Sequence, residues 1–236
     1  MTKSNIKSLE DDKSKNIIKT LAVFLCYFLY TTVVSGVLSA IGVSDGTVIS
    51  FVADIIFFIG IVYVYKDNLK KDLSDLKNNY KISKIIKTVL LWVVIIFVFN
   101  ILMGILTEII FPNAASIQDV NTQNVFELGS IKLGYTIFKT MLFAIVAEEL
   151  LFRESLSAVI NNELSFIIVS SLIYAFVNIV YYLETSSLLM LDFLTFFLPA
   201  LIFSYAYVKN NRNIFILMLI KFVYQLIPLT ILLLGL

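Results

Sequence analysis

Long apolar runs, each near the length of a membrane crossing and separated by short polar stretches, constrain this chain more than any other feature. A helix needs about 20 consecutive apolar residues to cross the hydrocarbon core. Seven such blocks can be drawn, at roughly 18–42, 48–65, 85–111, 132–153, 164–183, 187–207 and 214–235. With 59% hydrophobic residues in a chain of 236, the sequence carries more apolar surface than a soluble domain of this size can bury. The expected fold is therefore all-α, a polytopic transmembrane helical bundle of about seven spans, with the lipid bilayer as its first partner. Polar breaks at Ser44-Asp45-Gly46 and near Glu184-Thr185-Ser186 predict tight turns, and Pro112 to Gly129 forms a polar outer segment.

Charge gives the orientation. With the N-terminus inside, Lys3, Lys7, Lys13, Lys15 and Lys19 sit at the cytoplasmic end of the first span. The second cytoplasmic segment holds seven lysines between Lys66 and Lys87, and Arg153, Lys209 and Arg212 follow at later inner ends. That places 15 of the 18 Lys and Arg residues on one side, which predicts N-in and C-out. The linker from Lys66 to Lys84 also carries Asp67, Asp72 and Asp75, so a solvated surface helix at the headgroups is expected there. A net charge of +1 gives no reason to expect a nucleic-acid partner. The single cysteine, Cys26, excludes an intrachain disulfide or a cysteine zinc site, and its apolar setting predicts a buried, inert thiol. The abundance of Ile, Lys, Asn, Phe and Tyr suggests an AT-rich bacterial genome, hence a multi-pass protein of the bacterial plasma membrane.

Charges inside a span cost several kcal/mol, roughly 2.5–3.5 on insertion scales, and so face a cavity and a partner. Four stand out: Glu148, Glu149 and Arg153 in the fourth span and Lys221 in the seventh. Glu149 and Arg153 are four apart and share a helix face, which allows an ion pair. Glu148 points about 100° away and needs a different partner. Lys139 and Asp192, nearer the helix ends, read as snorkelling or capping residues.

The stretch Glu148-Glu149-Leu150-Leu151-Phe152-Arg153 resembles the first motif, E-E-x-x-x-R, of the CAAX protease and bacteriocin-processing (CPBP, or Abi) intramembrane proteases. That family continues with F-x-x-x-H, where this chain reads Tyr174-Ala175-Phe176-Val177-Asn178, and with H-x-x-x-N, where it reads Lys221-Phe222-Val223-Tyr224-Gln225. The resemblance implies a CPBP-like core over 91–236, preceded at 1–90 by an N-terminal tail, two spans and the basic linker. It also implies the site residues Glu148, Glu149, Arg153, Asn178, Lys221 and Gln225. In the family a motif-one glutamate and the motif-two histidine activate water. The third motif stabilises an oxyanion or, on an older view, ligates a metal.

Here Asn178 and Lys221 stand where the family has histidines, Gln225 replaces its asparagine, and the whole chain contains no histidine. Asn178 cannot titrate, and a protonated Lys221 has no lone pair to offer a metal. No cofactor and no metal are therefore expected. Lys221 reads as an internal counter-charge for Glu148 or Glu149. The implied function is a catalytically silent family member serving as a scaffold, immunity or regulatory partner for another membrane protein or a membrane-bound peptide. The alternative is a CAAX-type or leader-peptide endopeptidase with altered chemistry, in which Lys221 acts as base or oxyanion donor.

Overall fold

A computed structural model describes residues 3–110, 130–180 and 189–234. Among them every regular element is a helix. The expected outer segment Pro112 to Gly129 and the expected turn near Glu184 lie outside the described residues.

Eight helices are set down in order: α1 (Lys3–Ala40), α2 (Gly46–Val64), α3 (Lys66–Asn79), α4 (Ile82–Ile110), α5 (Ser130–Phe138), α6 (Glu163–Ile179), α7 (Leu189–Lys209) and α8 (Ile214–Leu234). Helix α5 does not stop at Phe138. It runs on as a π-helix over Lys139–Ala147, regains α register at Glu148 and Glu149, repeats the π form over Leu150–Glu154 and closes with a last α turn, Ser155–Ser157. This rod of residues 130–157 is the axis of the bundle: Met141, Phe143, Ile145, Ala147, Leu150, Leu151 and Phe152 are all buried.

Four helical segments, Lys13–Ala40, Gly46–Val64, Ile82–Leu106 and Met190–Lys209, are long and apolar enough to cross a membrane. Glu163–Ile179 and Ile214–Thr230 are shorter apolar helices.

The turns follow local chemistry. Asp45 caps α2, accepting from Thr47 N at 2.8 Å and Val48 N at 3.1 Å, while Gly42 takes a positive φ of 90° just before it. Asn162 caps α6 through Ser165 N at 2.9 Å. The turn into α8 places Asn211 and Arg212 at φ 56° and 55°, and Asn213 Oδ1 then accepts from Phe215 N and Ile216 N. Arg212 reaches back to Ser157 O at 3.1 Å and Asn161 O at 3.0 Å, a cation placed on the carbonyls that end the rod.

Helix α3 has no buried residue, as expected of a surface helix, yet it is also a clamp. Asp72 Oδ2 accepts from Ile214 N at 2.9 Å and Asp72 O accepts from Asn213 Nδ2 at 2.8 Å, so α3 fixes the start of α8. Burial pushes the Asp72 carboxyl up, with the Ile214 N–H acting against it. Helices α6 and α7 approach closely over small residues, where Ser204 Oγ lies 2.9 Å from Ser170 Oγ and 3.1 Å from Ser171 Oγ.

One expectation fails here. Cys26 is exposed, not buried. Helix α1 touches the bundle along one stripe only, through residues such as Thr20, Val23 and Tyr27, and Leu25, Cys26, Leu29 and Val33 look outward.

Candidate functional site

The site grows from the change of helical register in the rod. In π register each N–H reaches back five residues, and the first π stretch ends with Glu148 N–H on Phe143 O. When such a helix returns to α register, one carbonyl is passed over, and the count puts it at Ala144. A buried carbonyl needs a partner. Lys221 Nζ, arriving from α8, donates to Ala144 O at 2.7 Å.

The same ammonium donates to Glu149 Oε1 at 2.7 Å and to Glu148 Oε2 at 3.3 Å. An ammonium has three protons, and all three are thereby directed at acceptors of the rod. Glu149 is fully buried and Lys221 is 4% exposed. Arg153 Nε lies 3.3 Å from Glu149 Oε2, near enough for an ion pair but without the alignment of a hydrogen bond. Its Nη2 donates to Ala200 O at 3.4 Å, at the edge of hydrogen-bond range. Two carboxylates thus face two cations in one buried, charge-balanced group.

Tyr174 closes it. Its ring lies 4.8 Å from Arg153 Cζ and 5.6 Å from Lys221 Nζ, and its hydroxyl points to Glu148 Oε2 at 3.4 Å. The ring face favours both cations. Of the two glutamates only Glu148 retains side-chain exposure, 12% against 0% for Glu149.

The structure therefore brings Glu148, Glu149, Arg153 and Lys221 together. Lys221 serves both carboxylates at once, so Glu148 does not need a partner separate from that of Glu149. Asn178 stands one turn beyond Tyr174, and its Nδ2 donates to Tyr174 O at 2.8 Å, back along its own helix. Gln225 lies one turn beyond Lys221, and its buried Oε1 has no hydrogen-bond partner among the described residues. Neither amide makes a hydrogen bond to the glutamates among the described residues.

The donor set does not suit a divalent cation. An ammonium occupies the space between the two carboxylates, and a guanidinium backs Glu149. Among the described residues no three His, Cys, Asp or Glu side chains gather as a metal site would require.

Residues 131–227, spanning all three motif segments, match the family model described as type II CAAX prenyl endopeptidase, Rce1-like. Over this stretch the chain is similar to the CPBP/CAAX protease family. Its CAAX-protease motifs sit on the rod, on α6 and on α8, the three helices that converge at Lys221. No curated protein and no solved structure matches the chain.

Two further buried carboxylates escaped the sequence reading. Asp54, in the middle of α2, accepts from Tyr30 OH at 2.5 Å, Tyr135 OH at 2.9 Å and Lys139 Nζ at 2.8 Å. Lys139 is therefore a paired cation joining the rod to α2 rather than a snorkelling residue. The signal was available: a lone carboxylate at mid-span in α2 has no cation on its own helix. Glu154, one residue past Arg153, accepts from Asn68 Nδ2 at 2.6 Å and Tyr207 OH at 2.7 Å, tying α3 and α7 to the end of the rod.

Proposed function

We propose that this CAAX-protease-like protein is a catalytically silent membrane scaffold, which keeps the family's helical core to hold or position another membrane protein or a membrane-bound peptide. The observation that carries this reading is the saturation of Lys221. Hydrolysis of a peptide bond needs a group that takes a proton from water and donors that meet the developing oxyanion. The three protons of Lys221 are committed to Ala144 O, Glu148 and Glu149, so none remains for an oxyanion. Asn178 has no titratable proton and spends its amide on its own helix. Glu149 is enclosed between Arg153 and Lys221, which leaves Glu148 as the one motif carboxylate open to a water molecule, with an ammonium already beside it.

The reading is that charge balance has replaced chemistry at this site. In a prenyl endopeptidase the motif glutamates would act on a prenylated CAAX peptide. Here they stabilise the junction of the rod and α8. The multi-pass arrangement with the N-terminus inside a bacterial plasma membrane, and a part in immunity or regulation, belong to this same reading. Affinity purification of the intact protein from its native membrane is the test. A membrane protein retained in stoichiometric amount, and retained equally by Glu148→Gln, supports a scaffold. Loss of the partner on Glu148→Gln, together with recovery of trimmed peptide, points instead to an enzyme and its substrate.

A further inference from the structure

The segment that precedes the matched region carries a groove with one charged end. Helices α1 and α2 part on their outer side to leave a cavity of about 660 Å³. Its α1 wall continues a stripe at alternating spacings of four and three, Lys15, Lys19, Ala22, Cys26, Leu29 and Val33, whose members from Lys19 onward line the cavity. That spacing keeps one helix face in register. Two lysines stand at one end of the stripe, and small and apolar residues occupy the rest. On the α2 wall, a Cβ added at Gly60 would meet no atom within 4 Å, so the groove is open at its floor.

We propose that this groove binds an anionic phospholipid, with one acyl chain along the α1–α2 cleft and the phosphate at the Lys15, Lys19 and Lys66 end. Length fits first. From Lys19 to Val33 is fourteen residues, about 21 Å at 1.5 Å per residue, against about 15 Å for half of a 30 Å hydrocarbon core. An acyl chain rooted at headgroup level therefore lies within the groove along its whole length.

Charge fits second. Lys19 Nζ stands 4.0 Å from the Tyr65 ring centroid and Lys66 Nζ stands 4.3 Å from that of Tyr63. The buried Tyr65 ring and the exposed Tyr63 ring each hold one ammonium beside Val64, the last α2 residue of the cavity wall. Glu154 and Asp67 are the carboxylates whose fields reach Lys19. Glu154 already receives Asn68 and Tyr207, and Lys15, exposed one turn nearer the N-terminus, adds a cation on the same stripe. A second copy of the chain is the poorer occupant. Two-fold pairing of parallel helices along this stripe would set Lys15 and Lys19 against their own images.

The test uses the intact protein in phosphatidylcholine vesicles doped with a trace of phosphatidylglycerol or phosphatidylcholine carrying a photoreactive diazirine on the acyl chain. Cross-linked peptides are then located by mass spectrometry. Phosphatidylglycerol is expected to label the groove walls, Ala22 to Val33 and Ile56 to Val64, about fivefold or more over phosphatidylcholine, the size expected of one lysine facing an anionic headgroup. The outward face of α4, with Leu90, Val94 and Ile101 exposed, should show no headgroup preference. Lys19→Gln, which leaves Lys15 and Lys66 in place, should remove most of the difference between the two probes in the groove. Lys15→Gln, which disturbs no buried group, should narrow the difference. Gly60→Phe should lower labelling of the groove by both probes and leave α4 unchanged. Equal labelling of groove and α4 by both headgroups would reduce the feature to ordinary bilayer contact and overturn the proposal. Ready disulfide formation between two copies at the exposed Cys26 under mild oxidation would overturn it in favour of a dimer face.

Discussion

Lys221 Nζ lies 2.7 Å from Glu149 Oε1, with Glu149 fully buried and Arg153 on the carboxylate's other oxygen. The contact joins α8 to the rod across seventy-two residues of sequence. It is the point at which the family's third motif meets its first.

Removing one member of such a group strands a buried charge. Lys221→Met should destabilise the protein by about 3–5 kcal/mol, since two carboxylates would then share Arg153 alone. Adding Glu149→Gln to Lys221→Met should recover part of that loss by restoring one charge against one. Thermal or denaturant unfolding in a fixed detergent measures both. A change within about 1 kcal/mol for Lys221→Met, the range of an exposed pair, would mean that the ammonium is solvated.

The second buried pair makes a parallel case. Lys139→Met leaves the Asp54 carboxylate with Tyr30 and Tyr135 as its side-chain donors among the described residues. Asp54→Asn in the same chain removes the stranded charge and should restore stability. A double-mutant cycle should give a coupling of about 0.5–3 kcal/mol, as for residues in direct contact. Strict additivity would show that Lys139 and Asp54 act independently.

These two groups differ in how far the sequence announced them. Glu148, Glu149, Arg153 and Lys221 stood out because each is a charge inside a span, and their motif spacing pointed to one another. Tyr174 was quoted as part of the second motif but not as a site residue, because an aromatic at mid-helix carries no signal of the cations it will cover. Ala144 could not be read at all. Its role depends on a π register set by tertiary packing, and no local residue pattern encodes it. Asn178 and Gln225 sit at the motif positions, yet the Asn178 amide turns to its helix backbone and the buried Gln225 Oε1 has no partner among the described residues, which only side-chain geometry reveals. Cys26 was misjudged because an apolar helix in a bilayer has an outward face as apolar as its inward one.

The clamp between α3 and α8 rests on an acceptor oxygen rather than on charge. Asp72→Ala should cost about 0.5–2 kcal/mol by uncapping Ile214 N, and Asp72→Asn, an equally good capping residue, should cost little. Faster amide exchange at the start of α8 in the alanine variant alone would localise the effect. Equal losses in both variants would assign the role to the carboxylate charge.

Topology is checked at two exposed serines in a Cys26→Ser background. A cysteine at Ser44, in the turn before α2, should react with an impermeant reagent added outside sealed vesicles of native orientation. One at Ser74, on α3, should react only after permeabilisation. Outside labelling at Ser74 would reverse the orientation that the lysine distribution predicts.

Silence at the Glu148, Glu149, Lys221 centre is tested most directly by turnover. The purified protein, reconstituted in vesicles, is incubated with a farnesylated CAAX peptide, and release of the C-terminal tripeptide is followed beside Glu148→Gln. The expected result is that the two proteins are indistinguishable, both at the rate of protein-free vesicles. The triple variant Asn178→His, Lys221→His, Gln225→Asn asks whether the same scaffold supports hydrolysis once the family's residues return. Robust release by the unsubstituted protein, abolished by Glu148→Gln, would show that Glu148 works as a base beside its ammonium and would contradict the scaffold reading.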